Sequence, residues 1–460
     1  MIGRKGSVGA VHYSPVPCWP IDTTYFVEAT PSLFLPFYAY LLRDLGLGHL
    51  DRSTTIPGLR RDDYAQIRVK LPPLAEQRRI VAEIEKHFTR LDAAVAALER
   101  ARANLKRYRA AVLKAACEGR LVPTEAELAR AEGRDYETGE QLLQRILQER
   151  RAKWEAEELA KLRAKGKEPK DDRWKAKYKE PAAPDTSDLP ELPEGWVWAS
   201  PDQLSSEEEY SLAIGPFGSN LKVSDYVDSG VPLIFVRNIR SGVFGGEATR
   251  YVTEAKATQL RPHWVAPGDI LVTKMGDPPG DACIYPSNQP VGIITADCIK
   301  LRLRRDIPTP SFFVFATNSL VVRSQILRIT KGVAQPKVSL ARFKTIGFPL
   351  PPLAEQQRIV AEVERRLSVV EELERQVEAS LKRAARLRQA ILRRAFAGKL
   401  VPQDPNDEPA SVLLDRIRAE RAAAAAGEPK RRRSRRTSKN GTRSEPAAQT
   451  LPLIEAGVDR

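Results

Sequence analysis

Residue types able to hydrogen-bond a nucleobase or grip a phosphate collect in loops of the second half of this chain. Gly215-Pro216-Phe217-Gly218-Ser219-Asn220-Leu221-Lys222 sets backbone amides, a hydroxyl, an amide and an ammonium on a glycine-framed loop. Arg237-Asn238 follows a β-branched run. Each type can contact two atoms of one base, arginine with guanine and asparagine with adenine. Lys274 closes another such run, and Lys331-Gly332-Val333-Ala334-Gln335-Pro336-Lys337 adds a basic loop with a glutamine able to read adenine. Lysines suit phosphates, whose contacts position a protein without reading sequence. For any one of these residues a solvated surface side chain is the competing reading. They count as a set.

Catalytic chemistry is harder to find. Asp277-Pro278-Pro279-Gly280 approaches an acid-proline-proline-aromatic motif of amino-methyltransferases, but Gly280 offers no ring to stack a base, and no glycine-rich cofactor loop precedes it. Pro169-Lys170-Asp171-Asp172-Arg173-Trp174-Lys175 has the residue types of a metal-dependent nuclease. That chemistry needs its carboxylates on adjacent strands to hold Mg²⁺, and here they lie in a polar stretch. Gly3-Arg4-Lys5-Gly6-Ser7-Val8-Gly9 lacks the lysine-hydroxyl ending of a phosphate loop. His12, His49, His87 and His263 show no pairing spacing and read as surface or packing residues. Cys18, Cys117, Cys283 and Cys298 lie far apart, which disfavours a zinc site or a disulfide framework and fits a reducing cytoplasm. The expectation is a protein without a catalytic constellation, metal or bound cofactor.

The net charge is +15 and the pI near 9.6, which favours a polyanionic partner, nucleic acid first and an anionic membrane surface second. Lys430 to Arg443 supplies eight positive charges and no negative ones, so about half the excess sits there. Nothing resembles a signal peptide and no apolar run approaches eighteen residues, so a soluble cytoplasmic protein is expected.

What must position the loops is written twice. Leu71-Pro72-Pro73-Leu74-Ala75-Glu76-Gln77 returns 279 residues later as Leu350-Pro351-Pro352-Leu353-Ala354-Glu355-Gln356. The same offset carries Gly119-Arg120-Leu121-Val122-Pro123 onto Gly398-Lys399-Leu400-Val401-Pro402. Between these marks Ile80, Ile84, Phe88, Leu91, Val95, Leu98, Leu105 and Val112 recur in steps that leave an apolar seam at coiled-coil period. Val363, Leu367, Val370, Val377, Leu381, Ala384 and Ile391 do the same in the second copy. The spacing predicts helices over 75–117 and 354–397, each roughly 65 Å long at 1.5 Å per residue. Neither is stable without a partner surface, and the two most simply pair with each other. Heptads alone leave parallel against antiparallel open.

The resulting organisation is mixed α/β. Residues 1–70 read as short strands and turns, the C-terminal part of a first globular domain. The first long helix occupies 71–120, and 121–191 hold a short helix, a charged connector and a linker. Residues 192–349 form a complete second domain of β-branched runs and Gly/Pro turns. The second long helix occupies 350–399. A short helix and a basic tail fill 400–460, disordered beyond Arg421. Trp196, Trp198 and Trp264 read as core.

The doubled L-P-P-L-A-E-Q helix start, the G-[RK]-L-V-P helix end and the L-P-E-G-W domain start at Leu192 to Trp196 resemble the specificity subunits of type I restriction–modification systems. The resemblance covers nearly all residues up to Arg421. It implies two target-recognition domains held by two long helices paired antiparallel, each domain reading half of a bipartite double-stranded DNA target. It implies a subunit that is not itself an enzyme. Two modification subunits would carry S-adenosylmethionine and methylate adenine, and restriction subunits with ATP and Mg would join them, with no membrane involved. In that setting Ser219, Asn220, Lys222, Arg237, Asn238, Lys274, Lys331, Gln335 and Lys337 become the expected DNA contacts. Arg78, Arg79 and Arg358, on exposed helix faces, could dock the modification subunits.

Aligning Gly3 with Gly276 leaves the first half without a counterpart to roughly residues 192–273. A start upstream of Met1 is favoured over a remnant with an exposed sheet edge. The competing readings are a coiled-coil scaffold with protein-binding domains and a truncated, non-functional subunit.

Overall fold

The computed structural model describes residues 1–28, 30–51, 57–166, 169, 171–246, 250–276, 278–304, 309–331 and 336–427. Two compact units divide the chain: Met1–Arg102 with Arg375–Arg460, and Ala103–Glu374. The long helices run Leu74–Cys117 and Leu353–Phe396, 44 residues each, and both contribute a segment to each unit.

In the first unit Ile80, Val81, Ile84 and Phe88, from the start of one helix, share a core with Ile391, Leu392 and Ala395, from the end of the other. In the second unit Val112, Leu113, Ala116 and Cys117 meet Ile359, Val360, Val363 and Leu367. Start packs against end in both, so the pairing is antiparallel. The apolar steps of three and four residues supply the buried seam.

The repeated heptapeptide is a clamp. Gln77 and Gln356 are fully buried at the helix starts. Gln77 Nε2 donates to the Pro72 carbonyl at 2.9 Å, and Gln356 Nε2 to Pro351 at 2.7 Å. The prolines precede the first helical turn, where a missing N–H costs nothing. The helix ends match as well. Gly119 and Gly398 adopt left-handed backbones with φ of 64° and 72°. The next amides, Arg120 and Lys399, close onto Ala115 and Arg394 carbonyls at 3.0 and 2.9 Å. A glycine is needed there because other residues resist that conformation.

Arg79 and Arg358 are equivalent positions, and each is committed within its own unit. Arg79 forms a two-pronged pair with Asp407 at 2.6 and 3.1 Å. Arg358 pairs with Glu125 at 2.7 Å. Burial opposes ionisation of Glu125, but Arg358 and Arg134 outweigh it and hold the carboxyl below its usual range. These arginines pin the segment after each helix. Arg78 stays exposed, its guanidinium 5.9 Å from the Phe34 ring.

Two sheets build the globular part of the second unit. One is antiparallel, ordered Ala282–Ile284, Ile270–Thr273, Cys298–Leu301, Leu212–Ile214. The other runs Tyr251–Val252, Val231–Ile234, Gly292–Ile294, Trp264–Val265, with its central pair parallel. Helices Pro310–Asn318 and Leu320–Ile329 cover the first sheet, burying Phe312, Phe313, Val322 and Ile326 in the main core. Trp196 joins that core, while Trp198 and Trp264 are half-buried.

Three expectations change. Residues 1–70 carry helices Leu35–Leu45 and Arg61–Ala65, with strands only at Ile2–Gly3 and Thr24–Tyr25 among the described residues. Aromatic and β-branched content there pointed to strands, but Phe37, Tyr38 and Leu41 sit at helical spacing and bury one face. The charged connector holds the polar helix its sequence suggests, but the linker after that helix packs back on it. Helix Gly139–Ala164 continues into it, and Trp154 packs against Trp174 and Tyr178 with ring centroids 6.1 and 5.3 Å apart. The last helix runs Ala410–Gly427, past Arg421, because the alanine run is strongly helix-favouring. The basic run Lys430 to Arg443 lies outside the described residues. No described helix is long and apolar enough to cross a membrane.

Two measurements test this packing. Replacing Gln356 by Ala removes a buried hydrogen bond and leaves a void, an expected loss of about 2–4 kcal/mol in denaturant unfolding. An unchanged midpoint would show that the clamp is idle. Lys300 is 3% exposed and donates Nζ to the Trp264 carbonyl at 2.6 Å. Burial pushes its ammonium from the ordinary 10.5 down to about 8. Between those values the unfolded chain binds the extra proton, so stability should rise with pH across that window and stay flat below it. Lys300→Met should abolish a slope of up to about 1.4 kcal/mol per pH unit. A wild-type stability that falls from pH 8 to 10 relative to the variant would contradict the assignment.

Candidate nucleic-acid interface

The turn Thr295–Asp297 is the hub on which the predicted loops converge. Strand Cys298–Leu301 begins beside it, and strands Leu212–Ile214, Ile270–Thr273 and Val231–Ile234 end against it. Thr295 donates its amide and its hydroxyl to the Ile234 carbonyl, both at 2.9 Å. Gly215 leaves the sheet so close to this turn that a Cβ would lie 2.0 Å from the Thr295 oxygen. Only glycine fits, and that fixes where the 215–222 loop departs. The Lys274 amide donates to Asp297 at 2.8 Å, and its ammonium donates to the Ala296 carbonyl at 3.0 Å.

A second ladder adds the 331–337 loop. Lys331 and Lys337 exchange backbone hydrogen bonds of 3.0 and 3.1 Å. The next residue, Val338, donates to the Lys274 carbonyl at 3.0 Å. Both lysines are exposed at the stem of that loop. Gln335 lies outside the described residues, as does Asp277.

Most predicted residues therefore gather at one end of the sheets. Ser219, Asn220, Lys222 and Arg237 are exposed there, and Lys274 is half-buried. The Lys222 amide donates to Asp225, fixing the loop's return. The Arg237 guanidinium stacks on the Phe235 ring at 4.2 Å, which holds it extended. Asn238 is the correction. It is 2% exposed, its Oδ1 accepts from the Phe235 amide at 2.9 Å, and its Nδ2 donates to the Gly245 carbonyl at 3.2 Å. Both ends of its amide hold the turn that presents Arg237, so it has none left for a base. His263, half-buried beneath the hub with Nδ1 2.7 Å from the Ile214 carbonyl, is a packing residue whose pKa burial lowers.

Two features escaped sequence reasoning. Phe217 is 67% exposed at the tip of the 215–222 loop, a free π-face where a core aromatic would be the default. The other is a matching corner in the first unit. Strand Ile2–Gly3 pairs with Thr24–Tyr25 in the register by which Val272–Thr273 pairs with Cys298–Ile299. The Arg4 amide donates to Thr23 as Lys274 does to Asp297, both at 2.8 Å. Leu59 donates to the Arg4 carbonyl as Val338 does to Lys274. Even the side chains agree, since Arg4 Nη1 donates to the Asp22 carbonyl at 3.2 Å. Arg4 is thus the counterpart of Lys274, and Gly3 corresponds to Thr273 rather than Gly276. A cavity of about 220 Å³ beside it is lined by Arg4, Lys5 and Arg60 with Asp63. A comparison without gaps misses this match, because the offset drifts from 279 at Leu59 to 270 at Gly3.

Comparison with known proteins agrees with these findings. The sequence model of a family described as the type I restriction modification DNA specificity domain matches residues 266–383. The chain is 26% identical over 389 residues to the type I restriction enzyme EcoBI specificity subunit of Escherichia coli, covering 83% of this chain and 70% of that protein. The Escherichia coli EcoDI specificity subunit is 26% identical over 398 residues, covering 83% and 75%. In fold, the chain superposes with a TM-score of 0.51 at 19% identity on a chain from a structure of type I R-M complex assembly and conformational transition, covering 79% and 71%. With the doubled helix framework and the loop corner it carries, the chain is similar over most of its length to the DNA specificity subunits of type I restriction–modification systems.

Proposed function

We propose that each unit contacts one half of a bipartite double-stranded DNA target through its basic corner. Lys274, Lys331, Lys337 and Lys222 grip phosphates in the second unit, while Arg237, Ser219 and Asn220 face base edges. Arg4, with Lys5 and Arg60, grips phosphate in the first. The observation that carries this reading is the shared hydrogen-bond scheme around Arg4 and Lys274, which sets a cation in the same backbone frame in both units. The chain contributes recognition rather than bond-making. Two modification subunits supply S-adenosylmethionine and the methylation of adenine, and restriction subunits supply ATP- and Mg-dependent cleavage. Gln335 remains a proposed adenine reader.

Duplex binding followed by anisotropy from 50 to 200 mM salt tests it. Each neutralised phosphate adds about 0.9 to the slope of log affinity against log salt. Arg4→Gln and Lys274→Gln should each flatten the slope by about that amount. Arg237→Ala should cost about 1–3 kcal/mol against a selected target. Asn238→Ala should instead lower folding stability. Affinity that ignores salt would sink the reading.

A further inference from the structure

Among the described phenylalanines and tryptophans of the second unit, Phe217 alone is exposed. A lone apolar side chain on a surface needs no explanation in itself. Three observations set this one apart.

The first is its mount. Gly215 and Pro216 are buried, and the close approach of Gly215 to the Thr295 oxygen leaves the loop one path out of the sheet. Proline fixes the backbone of the next step. The Asn220 amide then donates to the Phe217 carbonyl at 2.8 Å, closing a tight turn over 217–220. On the far side the Lys222 amide donates to Asp225 at 2.7 Å. The ring therefore rides on a backbone held at both ends, rather than on a loop free to fold it away.

The second is its surroundings. The same turn exposes Ser219 and Asn220, and Lys222 and Arg237 are exposed at the same end of the sheets. A Cβ on Gly218 would meet nothing within 4 Å, so the chain beside the ring is bare. An apolar partner would have to strip water from these ammonium, guanidinium and amide groups. Nucleic acid offers phosphates to the cations and flat apolar faces to the ring.

The third is how far the ring stands clear. A ring lying flat on a protein surface surrenders one whole face. Phe217 keeps 67% of its surface open, so neither face is given up. An edge contact with a thymine methyl would leave those faces wet. A slot between two base pairs buries both.

Resting on the DNA-contacting reading of this corner, we propose that Phe217 is a wedge that enters one base step of the target duplex and unstacks it. Apolar side chains inserted in this way separate adjacent base pairs and kink the helix. The cost of separation depends on the step and is lowest at pyrimidine–purine steps. Phe217 is thus a specificity-determining residue that selects a deformable step without a hydrogen bond to either base. The cations beside it hold the backbone while the step opens.

The test binds the full chain alone, so that no modification subunit contributes, to a duplex target selected with it. Each adenine and cytosine is replaced in turn by 2-aminopurine or pyrrolocytosine, which brighten on unstacking. Fluorescence should rise at one pyrimidine–purine step when the wild-type chain binds. Phe217→Ser should abolish the rise and weaken binding about ten- to a hundredfold. Its salt slope should not change, because a phenyl neutralises no phosphate. Its melting midpoint should not change either, because the ring belongs to no core. Phe217→Leu should keep most of the rise, since leucine also serves as a wedge. Salt-dependent binding without any rise would overturn the wedge and leave the phosphate contacts standing. A rise that survives Phe217→Ser would overturn it as well. Affinity lost on replacing a thymine by uracil, again with no rise, would make Phe217 a methyl reader instead. Binding that ignores salt would remove both the wedge and the DNA reading beneath it.

Discussion

Everything else in this chain depends on the burial of two apolar seams against each other. A 44-residue helix that is charged on most of its surface does not hold its shape alone. Ile80, Ile84 and Phe88 against Ile391 and Leu392, and Val112 and Leu113 against Ile359 and Val363, supply the missing surface. Each such side chain contributes about 1.5–3 kcal/mol when taken from water. The seam fixes direction, and the ends fix length. Gln77 and Gln356 turn back on proline carbonyls where the helices begin, and Gly119 and Gly398 release the chain where they stop. That is why the heptapeptide and the pentapeptide repeat while most exposed positions between them do not.

The recognition corner follows a different economy. Its frame is backbone: carbonyls of the Thr295–Asp297 turn hold Lys274, and the Lys274 carbonyl in turn receives Val338. Side chains pointing outward can then change without disturbing the frame. Arg4 in place of Lys274 is one such change within a single chain. A guanidinium and an ammonium both suit a phosphate, so positioning chemistry is kept while residue identity varies.

The helices were legible in the sequence to within one residue at each end, because period and punctuation both survive in the repeat. The second domain was legible as strands and loops, and six of its nine nominated residues lie exposed at one end of the sheets or along its rim. Asn238 shows what a sequence withholds. Its side chain is chemically fit to read adenine, yet the tight turn at 235–238 leaves two backbone groups that need it. Local hydrogen bonding won over exposure. Helix Leu35–Leu45 was hidden for another reason, since its aromatic residues are equally at home on a pleated surface. Arg4 was hidden by loop-length changes that shift the repeat, which only hydrogen-bond register could recover.

The central claim is that both units read DNA. A base-resolution map of adenine methylation in cells expressing this chain with modification subunits tests it most directly. The account predicts methylation at a two-part motif with a fixed gap, weakened by either Arg4→Gln or Lys274→Gln. Methylation at a symmetric motif that is indifferent to Arg4→Gln would contradict it, leaving the second unit as the sole reader.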